Sequence, residues 1–162
     1  MSVQGGNAID HGFAYAGMVA DLQLVNGVSK LNKSETIYIP YGSGVVTDGD
    51  NGAKLPVAGS LAPEFNGVVK YELNRARTDQ NLTGAIPLYD MTVITQGVVW
   101  VKVLDTVAKD APVYLRVGAT GNGTFSGIVG TGVTLGVLLP NVKFVTGGTA
   151  GQLVKISLGL GG

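Results

Sequence analysis

Apolar residues alternate along much of the second half of the chain, and this alternation constrains the fold more than any other feature of the sequence. Through residues 91–104, both alternating faces are largely apolar. A period of two is that of a β-strand, and two apolar faces indicate an inner strand, or two strands bent at Gly97. The 26 glycines interrupt the remaining sequence so often that no helix of ordinary length fits.

Further alternating segments occur at residues 111–117, 133–139 and 152–158, with shorter candidate strands at 35–39 and 65–71. We expect Pro140 to end the strand at 133–139. Glycine-rich or polar turns separate these segments, for example at 48–52, 121–123 and 147–151. The sequence therefore predicts an all-β fold: one sandwich-like or barrel-like domain of about eight to ten short strands, of jelly-roll or tulip-like type, over residues 34–162.

Residues 1–33 differ from the rest of the chain. They contain the short apolar segment 13–20, but Gly12, Gly17 and Gly27 leave no room for an amphipathic helix longer than two turns. We predict an extended N-terminal arm, of the kind that is frayed when free and held in place by a partner. Its aromatic and methionine side chains, Phe13, Tyr15 and Met18, are the predicted anchors.

Composition excludes several classes of function. The chain has no cysteine, so it has no disulfide, thiol nucleophile or cysteine-ligated metal. Lysine plus arginine and aspartate plus glutamate both total 11, and charged residues make up only 14% of the chain. Nucleic-acid binding needs clustered cations, and none are present. No apolar run is long enough to span a bilayer and no secretion signal is recognisable, so we expect a protein made in a cytoplasm with no membrane partner.

We find no convincing catalytic, cofactor-binding or metal-binding residues. The single histidine, His11, lies in the predicted arm, where it would not be held in the fixed position that a catalytic base needs. The polar turn at 48–52 resembles the start of a calcium loop, but the twelfth position is Gly59 instead of glutamate. Residues 74–83 are predicted to be a polar loop, in which Arg75 and Arg77 are candidates for binding a carboxylate on another protein.

Over most of its length the chain resembles the structural cement proteins that decorate the capsids of tailed phages. The resemblance rests on an ordered set of short motifs: the arm segment 13–21, then Ala53-Lys54-Leu55-Pro56, Phe65-Asn66-Gly67-Val68, Gly97-Val98-Val99-Trp100-Val101, Pro112-Val113-Tyr114, Gly123-Thr124-Phe125 and the terminal strand at 151–156. The surface charge bias usual in that family is missing here.

This resemblance implies a β-rich fold with an N-terminal arm and no catalytic residues. It implies a homodimer or homotrimer on the outer capsid surface, made in the cytoplasm of the host bacterium, that stabilises contacts between major capsid subunits. Three alternatives remain. Another β-rich virion subunit, such as a tail-tube or head-completion protein, would share the fold. A carbohydrate-binding module needs an exposed aromatic platform, whereas Trp100, the only tryptophan, lies within apolar alternation. A hydrolase lacks a plausible base.

Overall fold

The computed structural model describes residues 14–21, 24–72 and 84–159. The described residues form eleven strands and two single turns of 3-10 helix, at Ala62–Glu64 and Gly132–Thr134. The strands are β1 (Asn26–Asn32), β2 (Ile39–Pro40), β3 (Gly44–Asp48), β4 (Gly52–Lys54), β5 (Phe65–Val69), β6 (Gly84–Ala85), β7 (Asp90–Lys102), β8 (Pro112–Arg116), β9 (Phe125–Ser126), β10 (Gly136–Phe144) and β11 (Leu153–Leu158). The predicted all-β class is confirmed.

The long strand β7 is shared by two rings of paired strands. In the first ring, β1, β4, β3 and β5 pair in that order, and the first half of β7 pairs with both β5 and β1, which closes the ring. In the second, the other half of β7 pairs with β11, followed by β10, β8 and β9. A bridge between Val103 and Phe125 brings β9 back to the end of β7. Closing a sheet in this way leaves few unpaired edges.

The buried apolar side chains form two clusters, and residues from strands of the first ring contribute to both. The smaller cluster includes Val45, Met91 and Val93, and the larger includes Val99 and Phe125; all five side chains are buried. Strand β7 serves both cores because its alternation changes phase at Gly97. Before this glycine the even-numbered Ile94 faces the larger core, whereas after it the odd-numbered valines do. Gly97 has a φ of 123°, which a residue with a side chain rarely adopts. Of the two predicted alternatives for this segment, the structure has the single strand, which is continuous through Gly97.

Three segments differ from the sequence-based expectations. Residues 26–32, assigned to the arm, form β1, so the first ring includes residues on both sides of the predicted boundary at residue 34. The strand expected at 35–39 is reduced to β2, and Ile37 is exposed. Pro140 does not end a strand: β10 continues through it, because the pairing with β8 shifts register between Leu138 and Lys143. A proline fits in such a bulge since no ladder hydrogen bond is needed from its nitrogen.

Candidate partner-binding surfaces

Residues 14–21, which lie in the predicted arm, are held against β7 by backbone hydrogen bonds. The Gly17 amide donates to the Trp100 carbonyl (2.7 Å), the Trp100 amide donates to the Met18 carbonyl (2.9 Å), and the Ala20 amide donates to the Val98 carbonyl (2.8 Å). These groups of β7 point away from β11, so the segment lies on the opposite edge of the strand. Within the described range, this part of the arm therefore behaves as a short added strand.

An aromatic stack fixes the start of this segment. The rings of Tyr15 and Tyr71 are stacked, with centroids 5.1 Å apart and planes 10° from parallel, and Tyr41 meets Tyr71 edge-on at 5.2 Å. The Tyr71 amide also donates to the Gly17 carbonyl at 2.9 Å. Tyr15 remains 56% exposed and Met18 37% exposed. Both predicted anchors thus present apolar surface to solvent while the backbone beside them is held.

A partly exposed ion pair fixes the end of the segment. The Lys155 ammonium lies 3.0 Å from an Asp21 carboxylate oxygen and 5.3 Å from the centre of the Trp100 ring. Lys155 and Trp100 are opposite each other in the β11–β7 pairing, so the ammonium reaches across the Trp100 ring to Asp21. A partly exposed ion pair and a cation–π contact each contribute about 0.5–1 kcal/mol.

The remaining predicted site residues, Phe13, Arg75 and Arg77, lie outside the described residues, as does His11. Tyr15 and Met18 are thus both partly exposed within the described segment, and the partner-binding roles of all five predicted residues stay predictions.

A second surface was not predicted from the sequence. Five large apolar side chains that are 40–61% exposed lie on β10 and on the loop before it; we call them the apolar lobe, which consists of Ile128, Val129, Val133, Leu135 and Leu138. Backbone hydrogen bonds fold this loop onto itself and onto the end of β8, for example from the Gly136 amide to the Val129 carbonyl (2.6 Å) and from the Val117 amide to the Leu135 carbonyl (2.9 Å). The loop that carries four of the five side chains is therefore folded, and Leu138 follows it directly on β10.

One sequence signal could have revealed the apolar lobe. No charged residue occurs between Arg116 and Lys143, in a chain whose charges are otherwise distributed throughout. A loop rich in Val, Leu and Ile that lacks any charge is unusual for a solvent-exposed connection, which is ordinarily polar.

A buried ion pair anchors the base of the apolar lobe. The Arg116 guanidinium is 2% exposed, and its Nη2 donates to an Asp105 carboxylate oxygen (2.7 Å) and to the Ser126 hydroxyl oxygen (2.9 Å). The Ser126 hydroxyl bonds to the same Asp105 oxygen, and its oxygen accepts the Ile128 amide at 3.1 Å. The chain of contacts from Asp105 through Ser126 thus reaches the first residue of the lobe.

Charge and hydrogen bonding determine the ionisation of Asp105. Partial burial alone would raise the pKa of this carboxyl group, but the hydrogen bonds from Ser126 and Arg116 and the positive charge of Arg116 outweigh that effect and lower its pKa below the ordinary value of 3.8. Asp105 is therefore ionised at neutral pH and compensates the buried guanidinium.

Two grooves on the described part of the chain have partly apolar linings. One, of about 240 Å³, is lined by the apolar residues Ile37, Ile39, Leu55 and Val57 and by polar residues that include Lys33, Asp48, Lys54 and Asn122. The other, of about 280 Å³, lies between the 3-10 turn at Ala62–Glu64 and the bulge of β10, and is lined mainly by Ala62, Pro63, Phe65, Leu139, Pro140 and Val142. Neither contains a set of side chains arranged for chemistry.

Within residues 14–21, 24–72 and 84–159, His, Cys, Asp and Glu side chains nowhere form a group of three or more suited to a metal ion. In the same parts of the chain, no helix is long and apolar enough to cross a membrane. The features that stand out are exposed apolar and aromatic side chains on a rigid β scaffold.

Such a scaffold, with exposed apolar side chains held by backbone pairing, defines a β-rich protein suited to standing contacts with other proteins. The chain belongs to the structural cement protein family: the model of that family, described as "Structural cement protein (E217 gp24/Pam3 gp6)", matches residues 3–159. The family predicted from the sequence is confirmed, and the chain is a structural component of a phage virion.

A chain of the solved structure titled "The capsid of Myoviridae Phage XM1" has the same fold, with a TM-score of 0.69 at 17% identity over 91% of each chain. No curated protein matches this chain significantly.

Proposed function

We propose that this protein binds the exterior of the phage capsid and stabilises contacts between major capsid subunits. The observation that carries this proposal is the N-terminal segment at residues 14–21, which adds to the edge of β7 while Tyr15 and Met18 stay exposed. A segment held in this way presents anchor side chains in a fixed position, which lowers the entropy lost when a partner binds.

The partner for this surface is the major capsid protein. Aromatic and methionine side chains contribute most to interface stability, and residues 1–33 carry Phe13, Tyr15 and Met18 close together in sequence. Any part of the arm that becomes ordered only on the capsid covers additional surface at an entropic cost. In the loop at 74–83, Arg75 and Arg77 are available to pair with carboxylates of the capsid protein.

The energetic demand on a single copy is small. A capsid shell that resists the pressure of packaged DNA is stabilised by every one of many identical contacts. A binding free energy of a few kcal/mol per copy is therefore sufficient to stabilise the shell when the copies are linked. Self-association into a homodimer or homotrimer provides this linkage. The equal numbers of positive and negative residues argue against nucleic acid as a partner, and the protein is made in the host bacterial cytoplasm before it reaches the outer capsid surface.

The test is co-sedimentation with expanded, empty heads of the parent phage. Removing residues 1–33 would also remove β1 from the first ring, so the better truncation lacks residues 1–13 only. A Tyr15→Ala variant tests the exposed anchor, and Tyr89→Ala is its matched control, because Tyr89 is exposed to nearly the same extent (58% against 56%).

We expect saturable binding of the full chain at a fixed ratio to capsid subunits, with weaker binding of the truncated and Tyr15→Ala variants and unchanged binding of Tyr89→Ala. Binding that is indifferent to the truncation and to Tyr15→Ala would move docking onto the β domain. No binding of the full chain at micromolar concentration would refute the cement role, and assembly into rings or tubes without heads would favour a tail-tube subunit instead.

A further inference from the structure

We infer that the apolar lobe is the surface through which two copies of this chain associate about a two-fold axis. The inference deepens the proposed function, since it assigns a surface to the self-association proposed above, but it is argued from different residues and is tested on the purified protein alone.

The first argument is the extent of exposed apolar surface. From their exposed fractions, the five side chains of the apolar lobe together present roughly 400 Å² of apolar surface, comparable to the largest patch on a typical monomer, which is often functional. A stable interface buries about 800 Å² on each partner, so the lobe supplies about half of this area, the share expected of an apolar centre with a more polar rim.

The second argument is the absence of charge, which favours a second copy over another partner. At a two-fold axis each residue near the axis faces its own copy, so any charge there meets a like charge. Between Arg116 and Lys143 the sequence has no charged residue, and the lobe lies wholly within that interval. A surface that meets itself gains most from this composition, whereas a surface for a different protein is free to carry complementary charges.

The third argument is the rigidity of the lobe. In the Arg116–Asp105–Ser126 cluster, the Ser126 hydroxyl donates to Asp105 and its oxygen accepts the Ile128 amide, which ties the start of the lobe to the buried ion pair. The loop closes on itself through the bond between Gly136 and Val129. A preorganised apolar surface loses little conformational entropy on association.

The lobe and the N-terminal segment are carried by different strands. The lobe is attached to β8, β9 and β10, whereas residues 14–21 contact β7, the residues at the end of β5 and, through Asp21, Lys155 of β11. A substitution in the lobe therefore leaves the contacts of the N-terminal segment in place, and self-association and capsid binding are measurable separately.

The experiment is sedimentation equilibrium of the full-length protein, compared with variants at Val133, the most exposed residue of the lobe. Val133→Asp places two carboxylates near the axis, and Val133→Lys places two ammonium groups there. Val57→Asp is the matched control, because Val57 is similarly exposed (54% against 61%) but lies in the groove beside Ile37. Thermal unfolding of each variant checks that it is folded.

We expect the unmodified chain to dimerise at about 100 μM, which exceeds the micromolar dissociation constant expected for a small apolar interface. Val133→Asp and Val133→Lys alone should each weaken the dimer at least tenfold, Val57→Asp should not, and an equimolar mixture of the two Val133 variants should recover dimers through opposite charges.

A monomeric unmodified chain at that concentration, or a dimer that Val133→Asp leaves unchanged, would overturn the inference. A dimer unaffected by Val133→Asp, combined with a loss of head binding, would assign the lobe to the capsid protein and also overturn it. The proposed function fails by a different result, namely that the unmodified chain dimerises through the lobe but does not bind heads.

Discussion

Replacing Asp105 by asparagine should destabilise the protein by about 2–3 kcal/mol at neutral pH. The substitution keeps the size of the side chain but removes the carboxylate that compensates Arg116, whose guanidinium is 2% exposed. Within the described residues, Nε and Nη1 of Arg116 have no hydrogen-bond partner, and the Ser126 hydroxyl that also accepts from Nη2 is neutral, so no group in this cluster replaces the lost negative charge. Breaking a fully buried pair costs about 3–5 kcal/mol, and the 29% exposure of the Asp105 side chain reduces that figure.

The pH dependence of this effect has a definite sign. Because the folded-state pKa of Asp105 lies below its unfolded value of 3.8, the carboxylate adds stability at all pH values above the unfolded pKa, and this contribution is lost as the pH falls through the folded pKa. The difference in free energy of unfolding between the unmodified chain and Asp105→Asn should therefore be constant from about pH 5 upward, and should shrink below about pH 4.

Urea unfolding, followed by tryptophan fluorescence at several pH values, measures this difference. The reasoning also predicts the result of a double-variant cycle with Arg116→Met. Since the main penalty of Asp105→Asn is an uncompensated guanidinium, adding Arg116→Met should recover part of the loss. A loss below about 0.5 kcal/mol at pH 7, a difference that does not shrink on acidification, or strictly additive single effects would refute the argument.

Two further predictions concern the attachment of residues 14–21. Tyr71→Ala removes the stack with Tyr15 and the edge contact with Tyr41, each worth about 0.5–1.5 kcal/mol. Hydrogen exchange of the Gly17 amide, which is bonded to Trp100, should therefore accelerate roughly tenfold. An unchanged exchange rate would contradict this prediction. Gly17→Ala puts a side chain on a residue with a φ of 83° and places its Cβ 2.5 Å from the Val69 carbonyl oxygen. The Trp100 amide, which donates to the Met18 carbonyl, should therefore exchange faster in this variant than in Tyr71→Ala. Protection of that amide equal to that in the unmodified chain would refute this prediction.

The parts of the fold that were predictable are those whose burial leaves a period of two in the sequence. Strands β7, β8 and β11 have alternating or doubly apolar patterns because they line a core on one or both faces. Strand β1 has no such pattern, since most of its residues are polar or glycine and only Asn32 is fully buried. It is a strand because β7 and β4 pair with its two edges, and pairing between segments distant in sequence leaves no local signal.

For the candidate surfaces too, the sequence indicated which residues are involved but not how the fold holds them. Tyr15 and Met18 were recognisable because aromatic and methionine side chains in a glycine-rich segment have no core to enter. Their attachment to Trp100 and Tyr71 was not, because it depends on backbone hydrogen bonds between segments more than fifty residues apart.

The apolar lobe explains why the strand expected at residues 133–139 was misplaced. Val133 and Leu135 alternate like core residues, yet they are 61% and 40% exposed, and the strand begins only at Gly136. An apolar pattern with a period of two indicates that one face of a segment is shielded from water. It does not indicate whether the rest of the same domain or a second molecule provides that shielding. An outward-facing Leu138 beside Tyr114 would be an aggregation hazard on a protein that functions alone. Burial against a second copy, as inferred above, would remove that hazard, so the misplaced strand and the inferred self-association have one physical cause.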